Sequence, residues 1–470
     1  MIFSSLEFLF LYFAAVLIIY YITPFKFRNL VLLIVSLIFY GWGEPVYVFI
    51  MIFSICVDYI CGWQVSKYKE KNKDKIAKRF VVASVAINLS VLGFFKYADF
   101  FINNLKLIPV LSFLHPLNIA LPIGISFYTF QTMSYVLDIY MDNAKVQKNI
   151  TSFGMYVTLF PQLVAGPIVR YKDIDEQIRH RKESVAMFAC GVRTFICGMC
   201  KKVLFANTAG AIWTYIKALP ESDITVVGAW LGIVAFTFQI YFDFSGYSDM
   251  AIGVGRMMGF HYPENFNYPY IATSVTDFWR RWHISLSSFF RDYVYIPLGG
   301  NRVSNQRWIL NMLIVWLLTG FWHGAAWNFI LWGLYFGVIL IIEKFFLREI
   351  LEKLPVLRNL YVIIVFIFGW VIFRAESVSH IGEITASMFG ANGAGSFTWL
   401  AEQDIVQLPH LFALVAGIIC SMPVSKYVKK FFEDSYVGIY FIDVATVIAL
   451  VVCVFSLAVG SYNPFIYFIF

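Results

Sequence analysis

The sequence predicts an all-α, polytopic integral membrane protein. Three observations carry that expectation. Of the 470 residues, 60% are hydrophobic and only 14% are charged, where a soluble protein is about a quarter charged. Apolar stretches recur from end to end, with a mean hydropathy of +0.71 and no long hydrophilic block between them. The short loops that separate them alternate between Lys/Arg-rich and nearly uncharged, as loops on the two sides of a membrane do. Helices follow because a chain in hydrocarbon must satisfy its own backbone. We expect about 11 to 13 membrane segments, some short or re-entrant, in one domain spanning residues 1–470.

Taken in order, residues 6–22 form the first span. Its leading charge, Glu7, is acidic while Lys26 and Arg28 follow it, the reverse of a signal peptide's charge order, and no small-residue cleavage site is evident. A second segment, 30–40, is broken by Gly41-Trp-Gly-Glu-Pro45, and a third covers 46–63. The loop 67–79 carries seven basic and two acidic residues, which places it in the cytoplasm and the N-terminus outside. Segments 80–101 and 119–140 follow, the latter interrupted by Pro122 and Gly124. Parity then fails. Residues 151–169 are apolar, yet Lys145 and Lys148 before them and 170–182 after them are both basic. A re-entrant segment broken at Pro161 and Gly166-Pro167 resolves this, and because such backbone must be covered we expect an internal cavity open to the cytoplasm near Pro161–Pro167. Further apolar segments are 184–202, 203–217, 224–242, 327–342, 360–373, 408–422 and 437–459. The loop 374–407, with Arg374 against four acidic residues and a Gly-rich tract, reads as external.

The unusual chemistry is concentrated in residues 276–328. The first half contains Trp279-Arg-Arg-Trp-His283, Arg291-Asp-Tyr and Pro297-Leu-Gly-Gly-Asn301. The second is an apolar helix that ends in Leu318-Thr-Gly-Phe-Trp-His323-Gly and runs on to Asn328. No charged residue lies between Arg307 and Glu343, so His323 is isolated at membrane depth. Such a residue is costly without a partner or a wet cavity, and points to function. A buried histidine that only links two packed helices is the other role open to it, and more so to His283 at the aqueous edge. Gly320 and Gly324 flank His323 and would let a neighbouring helix approach closely.

These strings, taken together and in order, resemble the membrane-bound O-acyltransferase family, most closely its bacterial alginate and peptidoglycan O-acetylation branch. The likeness extends to Phe3-Ser-Ser-Leu, Pro161-Gln-Leu-Val-Ala-Gly-Pro167, Tyr241-Phe-Asp-Phe-Ser-Gly-Tyr-Ser-Asp249 and Asn463-Pro-Phe-Ile-Tyr467. It implies that family's helical fold with a central cavity and a catalytic core at about 119–342. It assigns the base to His323 and a second polar role to His283, which would orient the acceptor or donate to the carbonyl oxygen. It further implies acetyl-CoA as donor substrate with no bound cofactor, an extracytoplasmic SGNH-type acetyltransferase partner, a polysaccharide acceptor and residence in the cytoplasmic membrane among its lipids.

Acyl transfer from a thioester needs a base for the hydroxyl, donors for the oxyanion and exclusion of water. A neutral imidazole suits the first. Arg280, Arg281 and Arg291, with Trp282, Asp292, Trp322 and Asn328, are the candidate donor-binding residues, since guanidinium groups suit the phosphates of coenzyme A. A positive-inside belt, with Asp277 and Asp292 pairing to arginines, is the structural alternative. Gln239, Asp243 and Asp249 are candidate tunnel-lining residues, or polar links between helices, and Arg256 is spaced to pair with Asp249. The seven cysteines, including Cys197-Gly-Met-Cys200, lack a second pair for a metal site. No basic, aromatic soluble module suggests nucleic acid. Two rival functions remain: D-alanyl transfer to teichoic acid within the family, and a polysaccharide or solute transporter using Asp243, Asp249 and Arg256.

Overall fold

Long apolar runs leave their backbone no external hydrogen-bond partner, and the chain answers with helices. The computed structural model describes residues 3–396, 407–433, 435–460 and 463–466. Among the described residues every regular element is helical. Seven helices are long and apolar enough to cross a membrane: Phe25–Gly43, Val48–Glu70, Asp74–Leu105, Val226–Met257, Trp327–Glu352, Pro355–Arg374 and Tyr436–Val459. Two shorter apolar helices, Phe8–Ile22 and Leu408–Cys420, join them. The chain is thus an all-α, polytopic membrane protein. It groups into two compact units, Met1–Phe195 with Met250–Pro263, and Ile196–Asp249 with Glu264–Phe470.

In the first unit, buried polar side chains tie apolar helices together. Asp58, fully buried on Val48–Glu70, accepts hydrogen bonds from Ser84 Oγ at 2.6 Å and Asn88 Nδ2 at 2.9 Å on Asp74–Leu105. The segment expected at 119–140 begins its helix only at Ile125. Gly124 precedes it at φ +75°, and a side chain there would stand 2.7 Å from the Leu163 carbonyl, so only glycine fits both constraints.

The expected break in 151–169 falls at Leu159, between helices Ile150–Thr158 and Phe160–Leu163. Asn149 caps the first by accepting from Thr151 N at 2.8 Å. Residues 153–169 are all buried, so protein covers this broken backbone. Phe160 N donates to Ser36 Oγ and Gln162 Nε2 to the Tyr156 carbonyl, which satisfies groups that the break exposes.

In the second unit, helices Asn305–His323 and Trp327–Ile342 form a hairpin. Their backbones touch. A Cβ on Gly320 would lie 2.2 Å from the Phe329 carbonyl oxygen, and one on Gly333 would lie 2.3 Å from that of Trp316. Gly324, expected to share a helix face with Gly320, instead caps the helix at the turn, where the Phe329 ring fills the space beside it. Of the expected loop 374–407, Val378–Met388 is a helix, and 397–406 lie outside the described residues, as does Tyr467 of the closing motif.

The glycine contact makes a direct prediction. Gly320→Val should overpack the hairpin and cost several kcal/mol, at or above the ~1–3 kcal/mol usual for overpacking. Gly382→Val, where nothing stands within 4 Å, should cost no more than about 1 kcal/mol. Thermal unfolding of the two variants in detergent checks the difference.

Candidate active site

The site is built from two short helices and the hairpin. Helix Val275–Arg281 starts at Ser274, whose Oγ accepts from Asp277 N at 2.9 Å. Its remaining N-terminal donors meet a buried carboxylate. Glu343 accepts from Val275 N at 2.6 Å, from Thr276 N at 3.0 Å and from Thr276 Oγ at 2.7 Å. Negative charge at a helix N-terminus is favourable, and these bonds account for the buried carboxylate. Asp277 pairs with Arg281 at 2.9 Å one turn on. The helix ends in a left-handed residue, His283, at φ +44° and ψ +53°, before Ile284–Phe290 begins.

His283 is 2% exposed and His323 is 5% exposed. Both border one cavity of about 910 Å³ formed within residues 273–358. Phe244 stands edge-on to the His283 ring, with centroids 4.6 Å apart. His323 is held by edge contacts to Trp332 at 5.1 Å and Phe373 at 5.4 Å. Trp322 touches both imidazoles, at 6.0 Å from His283 and 5.1 Å from His323. His283 Nδ1 lies 3.2 Å from Asn265 Oδ1, and its Nε2 is buried with no hydrogen-bond partner. This residue belongs to a turn between two short helices, outside the candidate spans. Burial, and then the charge of His323, push its pKa well below the usual imidazole range, so it is neutral at pH 7.

Away from the histidines the lining becomes basic. Six Lys/Arg side chains border the cavity against Asp277, Glu343 and Glu352. Arg280 is exposed, and Arg291 pairs with Asp292 at 2.8 Å while staying 60% exposed. Lys344 sits 3.5 Å over the Trp308 ring, Arg348 pairs with Glu352, and Arg358 leaves Nε without a partner.

The residues singled out in the sequence therefore divide. His283, His323, Arg280, Arg281, Trp282 and Arg291 meet at the cavity. Trp282 does so as part of a buried aromatic cluster, 4.9 Å from Trp370. Trp322 lies behind the histidines, and Asp292 pairs with Arg291, which borders the cavity. Asn328 is turned away, and its Nδ2 donates to the carbonyls of Phe373 and Ala375 at 3.2 and 2.9 Å. Gln239, Asp243 and Asp249 do not border the cavity. Asp243 forms a fully buried pair with Lys202 at 2.7 Å and accepts from Ile466 N. Asp249 pairs with Lys201 at 2.6 Å, while Arg256 donates to Thr194 Oγ1. Asn265, Glu343, Lys344, Arg348 and Arg358 were not singled out in the sequence. Only the charge of the last four gave any signal there.

The sequence model of the membrane-bound O-acyltransferase family matches residues 117–382, more than half of the chain and all of this site. The chain belongs to that family. It is an O-acyltransferase. A probable alginate O-acetylase of Azotobacter vinelandii is 39% identical over 443 residues, covering 93% of this chain and 87% of that protein. A peptidoglycan O-acetyltransferase of Helicobacter pylori is 36% identical over 400 residues, 78% of this chain and 75% of that one. A teichoic acid D-alanyltransferase of Bacillus subtilis is 34% identical over 244 residues, 49% of this chain and 61% of its own length.

The Glu343 cap is testable in this acyltransferase. Glu343→Ala strands buried donors of helix Val275–Arg281 and should cost about 1–3 kcal/mol. Glu343→Gln keeps an acceptor and should lose less. Unfolding temperature and acyl transfer measured on the same preparations should fall together, with Ala below Gln.

Proposed function

We propose that this acyltransferase moves acetyl groups from cytosolic acetyl-CoA across the membrane for O-acetylation of a cell-surface polysaccharide, with His323 as general base. The observation that carries this reading is one cavity that joins two buried imidazoles to a basic, partly exposed lining. A thioester reaching the histidines would lay its phosphates against Arg280, Lys344 and Arg358, where guanidinium and ammonium groups offer charge-assisted bonds.

In this reading His323 takes the proton of the attacking hydroxyl as its oxygen bonds to the thioester carbonyl carbon. The tetrahedral intermediate collapses by breaking the C–S bond, and the imidazolium returns its proton to the departing thiolate. The aromatic shell of Trp322, Trp332 and Phe373 keeps water from the base and strengthens each polar interaction inside it.

The relatives support polysaccharide acetylation over D-alanyl transfer. The acetylating proteins align over most of this chain, and the D-alanyltransferase over half of it. A cytoplasmic-membrane location, an N-terminus outside and an extracytoplasmic SGNH-type partner complete the reading, supported by the basic 67–79 loop and the O-acetylation likeness.

Coenzyme A release from acetyl-labelled acetyl-CoA by the purified protein tests it. Loss of a general base costs ~100-fold or more, so His323→Ala should lower release at least that far with its unfolding temperature unchanged. An active His323→Ala protein would remove His323 from the mechanism. No release by wild type with its partner supplied would favour D-alanyl transfer.

A further inference from the structure

Asn265 sits in the connection after helix Val226–Met257 and is 1% exposed. Its side chain is locked from both ends. Oδ1 stands 3.2 Å from Ser285 N, 2.9 Å from Ser285 Oγ and 3.2 Å from His283 Nδ1. Nδ2 donates to Ser248 Oγ at 3.0 Å. The Asn265 carbonyl also accepts from Ile284 N at 3.0 Å, and Asn267 N donates to the Arg281 carbonyl at 2.9 Å, so the connection is stitched to both sides of His283.

A backbone N–H can only donate. The amide atom facing Ser285 N is therefore the oxygen, and the Asn265 amide has one workable orientation. That oxygen also faces His283 Nδ1. A neutral imidazole carries one N–H. Ser285 Oγ also stands 3.5 Å from Nδ1, but at 2.9 Å from Asn265 Oδ1 its hydrogen goes to the amide oxygen, and opposite that acceptor the ring hydrogen sits on Nδ1. Nε2 is left as a lone pair, buried at the cavity and unpartnered. The backbone points the same way. His283 is held at φ +44°, a left-handed conformation costly for a side chain of this size, and the Asn265 bonds to Ile284 N and Ser285 N help maintain it.

We propose that Asn265 is a positioning residue that fixes His283 as the Nδ1–H tautomer, so that Nε2 receives a hydrogen bond from a hydroxyl of the acceptor substrate. This rests on the reading of the cavity as the acyl-transfer site. It decides between the two roles the sequence leaves to His283. A bare Nε2 orients the acceptor and has no hydrogen to give the thioester carbonyl. Proton removal stays with His323.

Nitrogen-15 histidine NMR of the full chain in proteoliposomes reads the tautomer directly, with the His283 signals identified by their loss in His283→Gln. We expect a protonated Nδ1 and an unprotonated Nε2 in wild type, and a mixture of tautomers in Asn265→Ala with kcat lowered about tenfold or more. Should Asn265→Ala fail to fold, Asn265→Asp decides. It keeps the acceptor and the tautomer but sets a carboxylate beside His283, whose titrating neighbour is otherwise His323. A carboxylate favours imidazolium, so the His283 titration should move to higher pH and carry the acid limb of kcat with it. A wild-type Nε2–H tautomer, an unchanged tautomer in Asn265→Ala, or an unmoved titration in Asn265→Asp overturns the proposal. The tautomer is read with no acyl donor present. A protein inactive with acetyl-CoA would therefore fail the proposed function and leave this inference standing.

Discussion

The close approach of two helices at Gly320 and Gly333 is the constraint on which the site depends. With the two backbones in contact, helix Trp327–Ile342 presents Trp332 directly to the His323 ring and to Trp279 of the preceding short helix. The same helix runs on to Glu343, whose carboxylate caps that short helix at Val275 and Thr276. One helix thus fixes both histidine-bearing segments, one by aromatic packing and the other by hydrogen bonds. A side chain on either glycine would push these contacts apart together.

Buried charge is handled differently elsewhere in the chain. Lys202 and Asp243 are almost fully buried, and their pairing is completed by the Pro464 carbonyl and Ile466 N. Breaking such a pair leaves a charge stranded in low dielectric, so it acts as a structural tie that must remain complete. Asp58 with Ser84 and Asn88 is a second case. The buried polar groups left without a partner include two that border the cavity, Nε2 of His283 and Nε of Arg358. Satisfied buried polar groups hold the scaffold, and unsatisfied ones at a cavity mark where a ligand's groups belong.

That contrast explains what the sequence could convey. His323 was legible because no charge surrounds it for a dozen residues on either side, and the arginines were legible by their density. The helical class and the break near Pro161 followed from composition and from loop charge. Asp243 and Asn328 looked equally functional, since a lone polar residue in an apolar run carries the same local signal whether it is paired or open. Their partners, Lys202 and the carbonyls of Phe373 and Ala375, lie 41 and 45 or more residues away, and only packing reveals them. Lys344, Arg348 and Arg358 belong to a mixed-charge connection that reads as ordinary interface. Asn265 has no local signature at all, because its role consists of bonds to Ser248, His283, Ile284 and Ser285 made across the fold.

The central claim is that one cavity holds the acyl donor with its thioester at the two histidines. Cryo-electron microscopy of the protein with a non-hydrolysable thioether analogue of acetyl-CoA tests this most directly. The account requires the acyl carbon to lie within about 3.5 Å of the reactive groups, between His283 and His323, with the phosphates against Arg280, Lys344 and Arg358. Density for the analogue elsewhere, with both imidazoles out of reach of the acyl group, would contradict it.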